Sequence, residues 1–189
     1  RAKERLSIVV PLTLVIIVLL LYLNFRNIIE VLIIMGTLPL ALVGSYWLLY
    51  LLGYNMSVAV GVGFIALAGV SVEIGVVMLV YLNQAYKKHI IEHGKVHTPT
   101  VNELREAVIE GALMRVRPIM MTVAAIIAGL LPIMLGGGTG SEVMRRIAAP
   151  MVGGMVSATL LTLVVIPAVF FIWKRHHLER GEIYKDEQR

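Results

Sequence analysis

The sequence contains no cysteine, and this absence excludes disulfide bonds and thiolate metal sites. Charged residues are also scarce, at 15% of the chain. Hydrophobic residues make up 58% of the 189 residues, above the share of about 45–50% in soluble domains. They lie in long runs of about 20 residues, which match the roughly 30 Å of hydrocarbon that a helix must cross. The composition therefore indicates a membrane-spanning protein.

The chain also lacks an initiator methionine and a signal peptide, since it begins with Arg-Ala-Lys-Glu-Arg directly before an apolar run. This start is not typical of a natural N-terminus. We therefore expect a fragment, cut from the interior of a larger integral membrane protein.

Five apolar runs predict an all-α integral membrane fold with five transmembrane helices, and residues 1–189 then belong to one transmembrane domain. The predicted spans are about 6–25, 28–52, 57–82, 118–135 and 147–173.

The polar segments add two further elements. Residues 100–114 place Val101, Leu104 and Val108 on one side, which predicts an amphipathic helix lying on the membrane surface. Pro118 is expected in the first turn of the fourth span. Residues 174–189 form a charged C-terminal tail.

The basic residues indicate the orientation. Twelve of the 17 Lys and Arg residues lie at Arg26, in the polar stretch after the third span, or in the tail, and these three places share one side of the membrane. The positive-inside rule then favours a cytoplasmic C-terminus and an external N-terminus.

Glu73 is the only acidic residue deep inside a predicted span. An ionised residue at a span centre costs about 2.5–3.5 kcal/mol, so such a group usually faces a bundle interior or a watery path. Small residues, which allow helices to approach closely, form two stripes on this helix. The stripes consist of Ala59, Gly63, Ala66 and Gly69, ending at Glu73, and of Gly61, Ala68 and Gly75. We expect neighbours on both sides and the carboxyl inside the bundle.

Two interpretations of Glu73 stay open. It is either a structural acid that is hydrogen-bonded to a neighbouring Ser, Thr or carbonyl, or a proton carrier. Burial disfavours the charged carboxylate, and a proton crossing the membrane potential releases about 2.3 kcal/mol per 100 mV. No Lys, Arg or His lies deep in the spans, so a carrier needs a partner outside the chain or a hydroxyl such as that of Thr122.

Methionine is abundant, with ten residues, and its thioether suits Cu(I) and Ag(I), although most membrane methionines are packing residues. Met144, at the external mouth of the fifth span, is the best-placed candidate for an ion pathway, and Met134 is second. His89, His93 and His97 have helical spacing, but Gly94 and Pro99 favour a solvated loop. The glycine-rich segments follow no strand and lack the Lys-Ser/Thr of a phosphate loop, so phosphate binding is not supported. No nucleic-acid partner is expected.

Several runs resemble one known family. Residues 63–78 are similar to the tenth transmembrane helix of heavy-metal efflux pumps of the resistance-nodulation-division (RND) superfamily. Residues 107–118 resemble the surface helix and the start of the eleventh, and residues 140–144 and 146–155 continue the match. The resemblance covers nearly the whole chain and is greatest for the copper/silver branch. It implies that the five spans are helices eight to twelve of a twelve-helix membrane domain and belong to its C-terminal half.

The resemblance also implies a function. It predicts a proton-driven homotrimeric exporter in the bacterial inner membrane, surrounded by lipid and working with a periplasmic adaptor and an outer-membrane channel. Glu73 matches the acid of the family's proton relay, and Met144 matches a methionine of the copper/silver ion pathway. A relay lysine that these pumps can carry is replaced by Ile119.

The leading hypothesis is therefore a secondary active transporter, not an enzyme, that exchanges protons for Cu(I) or Ag(I) and has no resident cofactor. One alternative is a pump of the same architecture that exports divalent Zn, Co or Cd. An alternative of another class is a non-transporting membrane sensor or scaffold module in which Glu73 is only structural.

Overall fold

The computed structural model describes residues 1–92, 95, 96 and 100–180. It contains five helices and one antiparallel pair of two-residue strands. In chain order the elements are α1 (Ala2–Phe25), α2 (Ile28–Leu52), α3 (Val58–Ile90), β1 (Ile91–Glu92), β2 (Lys95–Val96), α4 (Val101–Leu135) and α5 (Ser141–Arg180). Five helices in the described part are long and apolar enough to cross a membrane, which confirms the predicted fold class.

Local signals determine the bounds of α2. Arg26 adopts a left-handed conformation with φ of 54°, and this ends α1. The Asn27 side chain then accepts a hydrogen bond from the N–H of Ile29 at 3.0 Å, which satisfies one of the free donors at the start of α2. At the other end Gly53, with φ of 70°, closes the helix. These bounds agree with the predicted span.

The third helix is longer than predicted. It does not stop near residue 82 but continues to Ile90, and at 33 residues it is about 50 Å long. The extension is polar enough to lie outside the hydrocarbon, yet one side of it carries the buried residues Ala85, Tyr86 and Ile90. This packed side stabilises the helix where hydropathy alone indicates a loop.

The amphipathic segment is helical, as predicted, but it is continuous with the fourth span in a single helix of 35 residues. Thr100 and Glu103 form a capping box that begins this helix, and Pro118 lies inside it rather than in its first turn. The segment packs closely on the α3 extension, because a Cβ on Gly111 would lie 3.2 Å from the Cβ of Ala85. It is therefore a packed extension of α4.

Helix α5 is the centre of the bundle and packs against α2, α3 and α4, whereas α1 packs mainly against α2. The α2–α5 contact is especially close: a Cβ on Gly44 would overlap the carbonyl of Gly153. The Ser45 hydroxyl donates to the carbonyl of Pro150 at 2.5 Å, and the Ser157 hydroxyl donates to that of Ala41 at 2.8 Å. Small side chains thus bring the two backbones together.

One end of the bundle carries the turn at Arg26, the α3 extension, the start of α4 and the end of α5, and we call it the basic end. The glycine-rich loop at 136–140 lies at the opposite end. Helices α3, α4 and α5 all exceed the roughly 20 residues that a span requires. The surplus polar turns of α3 and α4 lie at the basic end, whereas α5 has polar turns at both of its ends.

Candidate functional site

Glu73 lies on an open face of the bundle. Its neighbours Ser71 and Ile74 are buried on the side of α3 that packs inward, but Glu73 is exposed. Residues two apart in a helix differ by about 200°, so Glu73 points almost opposite to Ser71. Among the described residues, no hydrogen bond or ion pair reaches the Glu73 carboxylate. These five helices therefore leave Glu73 uncovered, and the neighbours predicted on both sides of α3 are not all found among them.

Each small-residue stripe packs at one end only. A Cβ on Gly63 would overlap the carbonyl of Ile147 on α5, whereas a Cβ on Gly69, the glycine nearest Glu73 in this stripe, would meet nothing within 4 Å. In the second stripe a Cβ on Gly75 would lie 3.5 Å from Ile166, and one on Gly61 would be in open space. Glu73 and Gly69 thus form one open, narrow strip on α3.

The candidate relay hydroxyl is also exposed. Thr122 on α4 donates a hydrogen bond to the carbonyl of Pro118, one turn earlier, at 3.1 Å. No hydrogen bond joins it to Glu73. Ile119 lies where the resemblance to copper/silver pumps places a relay lysine. It is 1% exposed and belongs to the apolar core. Within residues 1–92, 95, 96 and 100–180, no titratable side chain thus pairs with Glu73.

The two candidate methionines have different surroundings. Met134 packs against a small apolar cluster of Leu49, Val60 and Ala149, as a packing residue does. Met144 is 50% exposed, in the first turn of α5 beside Glu142. Within the described residues, no group of three or more His, Asp or Glu side chains is arranged to hold a metal ion. Met144 therefore remains the more accessible thioether.

His89 lies in α3, so the prediction of a solvated loop is wrong for this residue. Its Nε2 is 2.8 Å from one carboxylate oxygen of Glu110, and Lys88 Nζ is 2.9 Å from the other. These contacts join the α3 extension to the start of α4. His93 and His97 lie outside the described residues.

A second acidic site was missed by reasoning from the sequence. Glu30, in the first turn of α2, is only 5% exposed, and Asn83 Nδ2 on α3 donates a hydrogen bond to its Oε1 at 3.0 Å. Lys87 and Lys174 also act electrostatically on this carboxylate. An acid in a first helical turn normally indicates only a favourable interaction with the helix dipole, so its position carried no signal of burial.

Glu30 and Asn83 lie in the wall of a large opening at the basic end, which we call the basic-end cleft. Its volume is about 910 Å³, and the end of α1, the start of α2, the α3 extension and Lys174 of α5 surround it. Lys174 is held over aromatic rings, with its Nζ 4.6 Å from the ring centre of Tyr86 and 4.4 Å from that of Trp173. The charged groups that line the cleft are therefore mainly cationic.

The fold and these sites define a multi-pass helical membrane domain with a single acid in the middle of a span. A family model described as the AcrB/AcrD/AcrF family matches residues 1–174, and the chain belongs to this family.

Individual relatives show which members of the family the chain resembles. The chain is 56% identical over 177 residues to the putative cation efflux system protein SilA of Salmonella typhimurium. It is 53% identical over 181 residues to the cation efflux system protein CusA of Escherichia coli K12. It is 38% identical over 169 residues to the cobalt-zinc-cadmium resistance protein CzcA of Cupriavidus metallidurans. These alignments cover 93%, 95% and 89% of the chain, but only 17%, 17% and 15% of the relatives.

The similarity to a solved structure agrees with these sequence identities. The crystal structure of a heavy metal efflux pump superposes with a TM-score of 0.77 at 35% identity, over 92% of this chain and 16% of that one. The resemblance to the heavy-metal efflux branch of the RND superfamily is thereby confirmed. The chain spans about 17% of the length of SilA and CusA.

Proposed function

We propose that this chain is part of the membrane domain of a proton-driven exporter of heavy-metal cations, in which Glu73 carries the proton and Cu(I) or Ag(I) is the cargo. The observation that carries the proposal is the position of Glu73. It is the one acidic side chain in the middle of a described span, and it lies on the strip of α3 that no other described helix covers.

An unpaired carboxyl in the hydrocarbon is costly, so a functional Glu73 requires a polar or watery neighbourhood. The open strip at Gly69 allows another helix to approach the α3 backbone closely. In a longer protein of this family, that helix supplies the partner groups. Local movement between α3 and this helix changes the solvation of Glu73, which loads and releases the proton.

The choice of cargo has two supports. Identity is 56% and 53% to SilA and CusA, against 38% to the cobalt-zinc-cadmium resistance protein. Methionine is abundant, and its thioether prefers soft monovalent ions. Met144, exposed at the start of α5, is the residue of this chain that we assign to the ion pathway.

We assign the basic end to the cytoplasmic side, because most Lys and Arg residues lie there, and the opposite end to the periplasm. The pump then lies in the bacterial inner membrane and acts as a homotrimer. A periplasmic adaptor and an outer-membrane channel complete the export route.

The test is a Glu73→Gln variant of the full-length protein, which removes the proton-carrying group and preserves the shape. Cells that depend on this protein should lose copper and silver tolerance, with unchanged expression and trimer formation. Glu106→Gln, an exposed acid on α4, is the matched control and should retain tolerance. If Glu73→Gln retains full tolerance, the sensor or scaffold alternative replaces this proposal. If Glu73→Gln lowers zinc tolerance and leaves copper tolerance unchanged, the cargo is a divalent cation.

A further inference from the structure

The basic-end cleft has an excess of positive charge. Its wall contains Arg26, Lys87 and Lys174, against the single acid Glu30. That acid is 5% exposed and accepts a hydrogen bond from Asn83, and its single negative charge offsets only part of the positive charge of the wall. Arg26 and Lys87 are exposed, and neither forms an ion pair with another side chain that the structure describes.

The start of α2 strengthens this positive character. Residues 27–29 line the cleft, and the first N–H groups of a helix carry partial positive charge. The Asn27 side chain occupies only the N–H of Ile29. A helix terminus and exposed cations in one recess together favour a bound anion.

The surroundings of the cleft are those of the bilayer surface. The cleft lies where α1 ends and α2 begins, so a ligand in it would be at the depth of lipid headgroups. Apolar side chains lead away from it along the outer surface: Leu23 of α1 is 62% exposed and Leu32 of α2 is 63% exposed. An amphiphile with an anionic head and apolar tails fits both regions.

We propose that the basic-end cleft binds the phosphate headgroup of an anionic membrane phospholipid, with Arg26 and Lys87 contacting the phosphate and the acyl chains lying along α1 and α2. Basic recesses between helices at the cytoplasmic surface are suited to such headgroups. The inference rests on the membrane placement in the proposed function but not on proton or metal transport, and a binding measurement therefore tests it separately.

The experiment uses the purified full-length protein and native mass spectrometry with phosphatidylglycerol or phosphatidylethanolamine. The wild type should retain phosphatidylglycerol preferentially. Arg26→Gln combined with Lys87→Gln should weaken its binding roughly tenfold at low salt. The matched control is Arg105→Gln with Arg117→Gln, which removes two exposed cations of α4 outside the cleft and should leave binding unchanged.

The charge-preserving variant Arg26→Lys with Lys87→Arg should bind phosphatidylglycerol as the wild type does. This result would show that the double glutamine variant loses binding because it lacks the charges and not because it misfolds. Equal retention of the two lipids, or equal loss in the α4 control, would overturn the proposal. Displacement of phosphatidylglycerol by inorganic phosphate alone would assign the cleft to a soluble phosphate and would also overturn the lipid assignment.

Discussion

Asn83 on α3 donates a hydrogen bond to the buried carboxylate of Glu30 on α2, across 53 residues of sequence, at 3.0 Å. This contact fixes the two helices relative to each other at the basic end. It also gives a nearly fully buried acid a hydrogen-bond donor.

Replacing Asn83 by Leu should destabilise the protein. The buried Glu30 oxygen would lose its donor, and an unsatisfied buried polar group costs about 1–3 kcal/mol. The thermal unfolding midpoint of the full-length protein should fall. Gln84→Leu, an exposed neighbour in the same turn, is the control and should have little effect. Equal midpoints for the two variants would show that the hydrogen bond contributes nothing.

The α2–α5 interface should not tolerate even one added methyl group. In Gly44→Ala the new Cβ overlaps the backbone carbonyl of Gly153, which cannot move without shifting a helix. Overpacking of this kind costs about 1–3 kcal/mol. Gly36→Ala on the same helix meets nothing within 4 Å and should leave stability unchanged or slightly raised. Unfolding midpoints measured in detergent distinguish the two, and an unaffected Gly44→Ala protein would contradict the packing described.

The contacts of Glu110 with Lys88 and His89 should contribute little to global stability. Lys88 is 73% exposed and Glu110 is 35% exposed, and surface ion pairs are worth about 0.2–1 kcal/mol. A double-mutant cycle of Lys88→Ala and Glu110→Ala should give a coupling energy in this range. A coupling several times larger would mean that the pair is shielded from solvent in the complete protein.

The assignment of Met144 to the ion pathway makes a selective prediction. Met144→Ile removes the thioether and keeps an apolar side chain, so copper and silver tolerance should fall while zinc tolerance is unchanged. Met134→Ile is the matched control, because Met134 packs in an apolar cluster and should affect none of the three. Unchanged tolerance to all three metals in Met144→Ile would make Met144 a packing residue.

The sequence predicts those features that depend on local signals. The predicted span 28–52 agrees with α2 because the apolar run is interrupted at Asn27 and Gly53, the two residues that cap the helix in the structure. The end of α3 was missed because hydropathy reports where a helix leaves the lipid, not where it ends. Its last turns are stabilised by packing of Tyr86 and Ile90, which depends on distant helices.

The candidate site also has parts that the sequence predicts and parts that it does not. Glu73 could be recognised from the sequence because an acid in the middle of a span is rare. Its neighbours could not be predicted, since a stripe of small residues indicates close packing but does not identify the helix that packs there. Gly63 lies against α5, whereas Gly69 lies against no described helix. Glu30 was missed because its burial depends on Asn83, far along the chain.

The central claim is that Glu73 carries the proton that drives export. The most direct measurement uses the full-length protein in liposomes with a pH-sensitive dye inside and an imposed pH gradient, with Cu(I) or Ag(I) as the cargo. The wild type and Glu106→Gln should show metal-dependent proton flux, and Glu73→Gln should show only the background leak of protein-free liposomes. Metal-dependent proton flux at the wild-type rate in Glu73→Gln would contradict the account.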